Sequence, residues 1–259
     1  SQRMPTLREF FELFKDSGVV HDTEIKTNDP AIVIALHNLV DEYDNFGEVF
    51  TISFNVNILE EMYKSWPEMS VGALGMEGYA NPESNLPVFE PYGEMIESGE
   101  ATVEECVAML YAELDKWNAT YNPASGFSYD VVSAGRHRGL TVWPWTYNDA
   151  ATFAEAYLNG IYGLTTNFAW WASDFIVDID ASDATIAVGG ELPAPTVTTQ
   201  NGEQVTVDGL EAIVVGGALD SEGEALVIYR LAQELVIDGA SYGEYFLYSN
   251  PFTVTVTAA

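Results

Sequence analysis

Over residues 1–178, short apolar runs alternate with longer runs whose apolar residues recur at helical spacing; beyond residue 178 the alternation stops. Strand-helix alternation predicts a parallel sheet with helices packed outside it. Strand patterns fall at 19–26, 49–54, 71–74, 119–122, 140–146 and 161–166. Helical patterns fall at 5–14, 30–43, 57–65, 102–117, 129–138 and 150–158. Thr6 followed by Glu9 reads as a capping box at the first helix, with Leu7, Phe10, Phe11 and Phe14 as its apolar stripe. Pro30 suits a first helical turn, and Gly139 a helix end. Residues 77–100, rich in proline and glycine, read as loop. Six strand-helix units suit a TIM-like barrel. A full eight-unit barrel takes about 250 residues, so the barrel is expected to be incomplete at its N-terminal side.

Residues 179–259 have a different texture, rich in Val, Thr, Gly and Tyr with frequent turn signals. Seven strand patterns (185–188, 195–199, 204–207, 212–215, 225–231, 242–248 and 252–257) predict an all-β immunoglobulin-like sandwich. Asn201-Gly202 marks a hairpin turn. Two domains are expected, 1–178 and 179–259. The run Tyr248 to Val256 resembles the last strand of small modules appended to bacterial surface and secreted enzymes. That likeness points to an extracellular or cell-surface setting in a bacterium.

The chain carries 40 acidic residues against 9 Lys and Arg, a formal charge of −31. This balance argues against a nucleic-acid partner and against docking on an anionic membrane. No run is long and apolar enough for a membrane span, and no signal peptide is expected at the start. With a single cysteine, Cys106, no internal disulfide can form. Cys106 sits in an apolar helical pattern and reads as a small buried hydrophobe.

The segment His21-Asp22-Thr23-Glu24-Ile25-Lys26-Thr27 is the main candidate for chemistry. Alternate strand residues share a face, so Asp22, Glu24 and Lys26 project one way, and His21, Thr23 and Ile25 the other. A charged row on a strand is costly to bury without partners. It suits a strand end that holds a metal or a phosphate; an exposed edge strand with a neutralising Glu-Lys pair is the plainer reading. His37 reads as a mid-helix residue and His137 as a cation at a helix C-terminus, so the three histidines do not suggest zinc. Trp170 and Trp171 read as residues packing against the following domain, with a substrate wall as the alternative. Asp178, Asp180 and Asp183 miss the spacing of a calcium loop and read as a solvated linker.

Four segments together resemble the later part of the glycerophosphodiester phosphodiesterase family. Pro5-Thr6-Leu7-Arg8-Glu9-Phe10 resembles the helix before that family's third strand, and Glu24-Ile25-Lys26 its acid-Ile-Lys strand. Thr51-Ile52-Ser53-Phe54 resembles its next strand end. Gly139 to Asp149, with Trp143-Pro144-Trp145-Thr146-Tyr147-Asn148-Asp149, resembles its seventh strand, and Gly160 to Asn167 falls where the eighth belongs. The resemblance implies metal-dependent hydrolysis of glycerophosphodiesters to glycerol 3-phosphate and an alcohol. It implies Glu24 as a metal ligand for Mg or Ca, and Lys26 as the catalytic group that offsets phosphate charge. Trp145, Phe54 and Ser53 would line the substrate.

The family's opening His-Arg-Gly strand, Pro-Glu-Asn-Thr segment, second-strand acid pair and second catalytic histidine have no counterpart here, and Asn167 stands where the family usually has Asp. Most metal ligands are therefore expected outside this chain, and the isolated chain is expected to be inactive. The first strand is expected to meet a missing N-terminal barrel segment or another copy. The competing reading is a non-catalytic, degenerate barrel serving surface binding or attachment.

Overall fold

The computed structural model describes residues 3–80 and 85–258. The chain divides into two compact units, Ser1–Tyr147 with Ile161–Thr165, and Asn148–Gly160 with Thr166–Ala259. The expected boundary at 178/179 lies inside the second unit.

In the first unit, α1 (Leu7–Phe14) precedes β1 (His21–Glu24), and α2 (Ala31–Tyr43) leads into β2 (Val49–Ser53). Then follow α3 (Val56–Ser65), β3 (Val71–Gly75), α4 (Tyr92–Ser98), α5 (Val103–Leu114), β4 (Thr120–Pro123) and α6 (Tyr129–Arg136). The four strands form a parallel sheet in sequence order, β1-β2-β3-β4. Among the described residues β1 stands at one end of this order, with a single strand neighbour.

Local chemistry fixes several boundaries. α1 starts at the expected Thr6–Glu9 capping box, and α5 has a second one, Thr102–Glu105. α2 stops where Asp44 turns left-handed, at φ 51°. The helix α4 lies in the stretch expected to be loop; residues 81–84 of that stretch lie outside the described residues.

The strand patterns expected at 140–146 and 161–166 do not become regular strands. They keep parallel pairing in fragments. Val142 bridges Tyr121, and Trp145 bridges Ala124. The Thr165 amide donates to the Pro144 carbonyl at 3.0 Å, and the Tyr147 amide to the Thr165 carbonyl at 2.8 Å. Pro144 brings no N–H to a ladder, so regular pairing breaks there while sheet order continues.

The outer face of the sheet is buried, with Val49, Val71, Ala73 and Tyr121 beside the polar Thr51 and Ser53. His21 is 4% exposed and sits among the rings of Phe10, Phe11 and Phe14, with centroids 5.2–5.9 Å away. Cys106 is fully buried, as its apolar pattern suggested. On the opposite face β3 passes very close to β4: a Cβ at Gly72 would meet Asn122 Oδ1 at 2.4 Å. Asn122 is itself buried, so it has little room to yield. Gly72→Ala is expected to cost about 1–3 kcal/mol by overpacking, read from urea denaturation. A loss below ~0.5 kcal/mol, the usual size for a surface change, would show that Asn122 swings aside.

Among the described residues of the second unit, α7 (Ala150–Leu158) is followed by a short 3-10 turn at Ala169–Ala172 and eight strands. They are β5 (Ile176–Asp180), β6 (Ala184–Ala187), β7 (Thr196–Thr199), β8 (Gln204–Val205), β9 (Glu211–Gly216), β10 (Gly223–Ile237), β11 (Ala240–Tyr248) and β12 (Phe252–Thr257). One sheet has the order β11-β10-β12-β6 with β9 also on β10; the other is β5-β7-β8. Ile176, Ile179 and Val197 of the smaller sheet share one core with Val227, Leu231, Phe252 and Val254 of the larger. Each of the seven expected strand patterns contributes a strand. The eighth, β5, runs through the stretch expected to be linker. Asp178 and Asp180 are exposed there while Ile176 and Ile179 are buried. Asn201-Gly202 makes the expected turn between β7 and β8.

Candidate functional site

Register settles which side chains share the inner face of the first unit's sheet. Asp22 pairs with Phe50, and Glu24 with Ile52; Ile52 pairs with Gly72, and Leu74 with Asn122. Residues in register across parallel strands point the same way. The acid row of β1 therefore lies on the face that carries Phe50, Ile52, Gly72, Leu74 and Asn122. Ring contacts extend this face to the strand fragment at 142–145. Phe50 stacks on Trp143 at 5.5 Å, and Phe54 meets Trp145 edge to face at 5.3 Å. The Trp145 indole N–H donates to the Asn122 carbonyl at 2.9 Å, which fixes the ring beside the end of β4.

At the carboxyl end of β1, Lys26 Nζ lies 2.7 Å from Glu24 Oε2. The lysine side chain is 78% exposed and the glutamate 26%. A pair this open to solvent contributes little to stability; its consequence is that a charged group of each sign stands ready at a strand end. The backbone beside it is pinned. The Ile25 amide donates to the Ile52 carbonyl at 2.9 Å, and the Ser53 hydroxyl donates to the Ile25 carbonyl at 2.8 Å.

That hydroxyl also accepts from the Asn55 amide at 3.0 Å. Ser53 is fully buried and has the opposite parity to Phe54. It thus closes the strand end. Glu24 and Lys26 pair with each other, Phe54 meets Trp145, and the cavity beside Glu24 and Lys26 is lined by Leu7, Ile32, Leu36 and Leu39 rather than by these two rings. His21 has the opposite parity to Glu24, as expected, and among the described residues its buried Nδ1 has no hydrogen-bond partner. His37 stacks on Trp66 at 4.3 Å, and His137 caps the end of α6. Thus none of the three histidines is placed at the end of β1.

Asp22 is the strained member of the row. Partial burial, followed by the charge on Glu24, pushes its carboxyl up to about 6. A raised folded value favours the protonated form, so the folded state binds more protons than the unfolded one between the ordinary aspartate value and about 6. Stability from this group is greatest below that window and declines as pH rises through it. An NMR titration is expected to place the Asp22 midpoint near 6, and Glu24→Gln to lower it. A midpoint near 4, the value of a free aspartate, would show that neither influence operates.

Asp22 and Glu24 offer carboxylate oxygens to a hard cation, but a magnesium or calcium ion takes six or more oxygens. Among the described residues no three His, Cys, Asp or Glu side chains converge. The residues present do not make a metal site on their own, and no chemical step through a metal follows from them.

One polar centre escaped the sequence reading. Glu77, just past β3, accepts the Tyr121 hydroxyl at 2.7 Å and the Ser128 amide at 3.2 Å. Its partners lie 44 and 51 residues away, so no local pattern announces them.

No protein-family model matches the sequence, and no curated protein matches it. Solved structures do. A putative glycerophosphoryl diester phosphodiesterase from Silicibacter pomeroyi DSS-3 is 21% identical, with 62% of this chain covering 52% of that one at a TM-score of 0.46. A glycerophosphodiester phosphodiesterase from Parabacteroides distasonis ATCC 8503 is 17% identical, with 65% and 62% covered and a TM-score of 0.43. A putative glycerophosphoryl diester phosphodiesterase from Agrobacterium tumefaciens str. C58 is 15% identical, with 62% and 59% covered and a TM-score of 0.46. The chain spans between about half and three fifths of the length of these structures.

Proposed function

We propose that the chain is the later portion of a metal-dependent phosphodiesterase that hydrolyses glycerophosphodiesters to glycerol 3-phosphate and an alcohol. The observation that carries this reading is the Glu24–Lys26 pair at the carboxyl end of β1, on the sheet face that also carries Phe54 and Trp145. Barrel enzymes keep their chemistry at that end of the strands. The motif order read from the sequence points the same way.

In this reading Glu24 would supply one carboxylate ligand to a divalent cation completed by residues outside this chain, and the cation would offset phosphate charge. The Lys26 ammonium would hold a phosphoryl oxygen where negative charge grows as the leaving oxygen departs. Phe54 and Trp145 form an apolar wall against the glycerol end, and Ser53 positions the strand that bears them. The remaining cation ligands and the proton-transfer groups come from outside this chain, from a further barrel segment or another copy meeting β1. An immunoglobulin-like character for the second unit, and a bacterial extracellular setting, belong to the same proposal.

The test is release of glycerol 3-phosphate from glycerophosphodiesters by this chain alone, with magnesium or calcium. The expected result is no turnover above background, and metal-dependent turnover would overturn the division of the site. A second reading, a binding module without chemistry, draws on the placement of all three histidines away from the strand end.

A further inference from the structure

The second unit contains a cleft of about 360 Å³ lined by aromatic rings and carboxylates. Trp170 and Trp171 come from the 3-10 turn, Asp174 follows it, Tyr245 comes from β11, and Glu234 and Asp238 come from β10 and its turn. Its architecture follows from local sequence. Asp238 and Gly239 both have positive φ, at 50° and 80°, in the two-residue turn that joins β10 to β11. Such a turn matches the twist of a long hairpin and brings the Asp238 carboxylate back to the Trp171 indole N–H at 3.0 Å.

Phe168 holds both tryptophans: it stacks on Trp171 with 10° between planes and meets Trp170 at 79°. The two indole planes therefore stand roughly perpendicular, and both rings line the cleft. Trp171 and Tyr245 are buried, whereas Trp170 is 61% exposed. An exposed tryptophan held by a neighbouring ring, without a covering side chain, is a wall that a ligand can reach.

Charge decides what kind of ligand fits. Three carboxylates line the cleft, and no Lys, Arg or His does. After residue 140 the sequence has one Lys or Arg, Arg230, and its guanidinium is held by Glu211 at 2.7 Å and lies over Phe246. The faces of aromatic rings attract cations, tryptophan most strongly. A primary ammonium would need close oxygen acceptors for its N–H groups. An alkylated ammonium lays its methyl groups on rings and needs only nearby negative charge.

We propose that this cleft binds a quaternary ammonium group of the choline type, with Trp170 and Trp171 as adjoining walls and Asp174, Glu234 and Asp238 as the counter-charge. Free choline and the choline of a lipid headgroup share this chemistry. The proposal stands independently of any phosphodiesterase role.

The experiment is a tryptophan-fluorescence and calorimetric titration of the whole chain with choline chloride. Sodium chloride at equal ionic strength and 3,3-dimethylbutan-1-ol, the neutral carbon isostere of choline, serve as controls. Saturable binding of choline is expected, with the isostere at least roughly tenfold weaker. Trp170→Ala is expected to weaken choline binding by roughly tenfold, and Glu234→Gln by about threefold, in line with cation-ring and exposed charge contributions. Circular dichroism checks that both exposed-site variants stay folded. Glu234→Gln provides an independent reading if the tryptophan variant does not fold.

Cosedimentation with phosphatidylcholine vesicles, reversed by free choline, would identify the headgroup as the source; binding of soluble choline without cosedimentation would identify free choline. Failure of choline to bind saturably, equal binding of the isostere, or undiminished binding by folded Trp170→Ala would each overturn the proposal.

Discussion

Phe252→Ala is expected to destabilise the second unit by about 3–5 kcal/mol, the usual cost of removing a fully packed aromatic ring from a core. Phe252 is 2% exposed and stacks on Tyr229 at 5.2 Å, with 19° between the rings. Its neighbours in the core come from both sheets, Val227, Leu231 and Val254 on one and Ile179 and Val197 on the other. Strands cannot collapse into the vacated volume without breaking register, so much of the cavity should persist. Hydrogen exchange of β10 and β12 amides should accelerate accordingly, by roughly two to three orders of magnitude if exchange follows global opening of the unit. Phe246→Ala is the matched control. That ring is 44% exposed, and its loss should cost under about 1 kcal/mol. Equal effects of the two variants would mean that the shared core does not hold the sheets together.

Glu77→Ala is expected to cost about 2–4 kcal/mol in the first unit. The glutamate accepts hydrogen bonds from the Tyr121 hydroxyl and the Ser128 amide. Tyr121 is fully buried, so alanine would leave its hydroxyl without that partner, and unpaired buried donors are costly. Glu77→Gln keeps an acceptor and should cost less than half as much.

The pH dependence gives an independent check. Burial pushes the Glu77 carboxyl above its ordinary value, while its hydrogen bonds pull the other way. The folded state therefore holds the proton more tightly than the unfolded one. This contribution is fully present below the unfolded value and is lost as pH rises through the folded one. The slope should shrink in Glu77→Gln, leaving the part carried by Asp22; an unchanged slope would assign it wholly to other groups.

Much of the architecture was legible because it rests on short-range rules. The Thr6–Glu9 box set the start of α1, period-two parity put Asp22 and Glu24 on one face, and Asn201-Gly202 set a hairpin. What escaped depends on distant partners or mixed signals. α4 was hidden by Pro91, Gly93 and Gly99, although Gly99, at φ 74°, marks its end. β5 was hidden because its outward residues are aspartates. β10 extends to Ile237, beyond the strand pattern expected to end at 231, because Asp238-Gly239 is a turn as strong as the one that was noticed. Pro144, which brings no N–H, breaks regular pairing where a ladder was expected. At the site, the acid-lysine pair was readable from spacing. The engagement of Ser53 with Ile25 and Asn55 was not, because it depends on how the end of β2 is closed against β1.

The central claim is that Glu24 and Lys26 mark the phosphate and cation end of a divided phosphodiesterase barrel. Glycerophosphodiester hydrolysis by the protein produced from its whole reading frame, compared with its Glu24→Gln form at saturating magnesium or calcium, tests it most directly. Turnover is predicted to fall by roughly a hundredfold or more, in the range seen when one group that stabilises transition-state charge is removed, with an unchanged denaturation midpoint. Equal turnover by the two proteins would contradict the account.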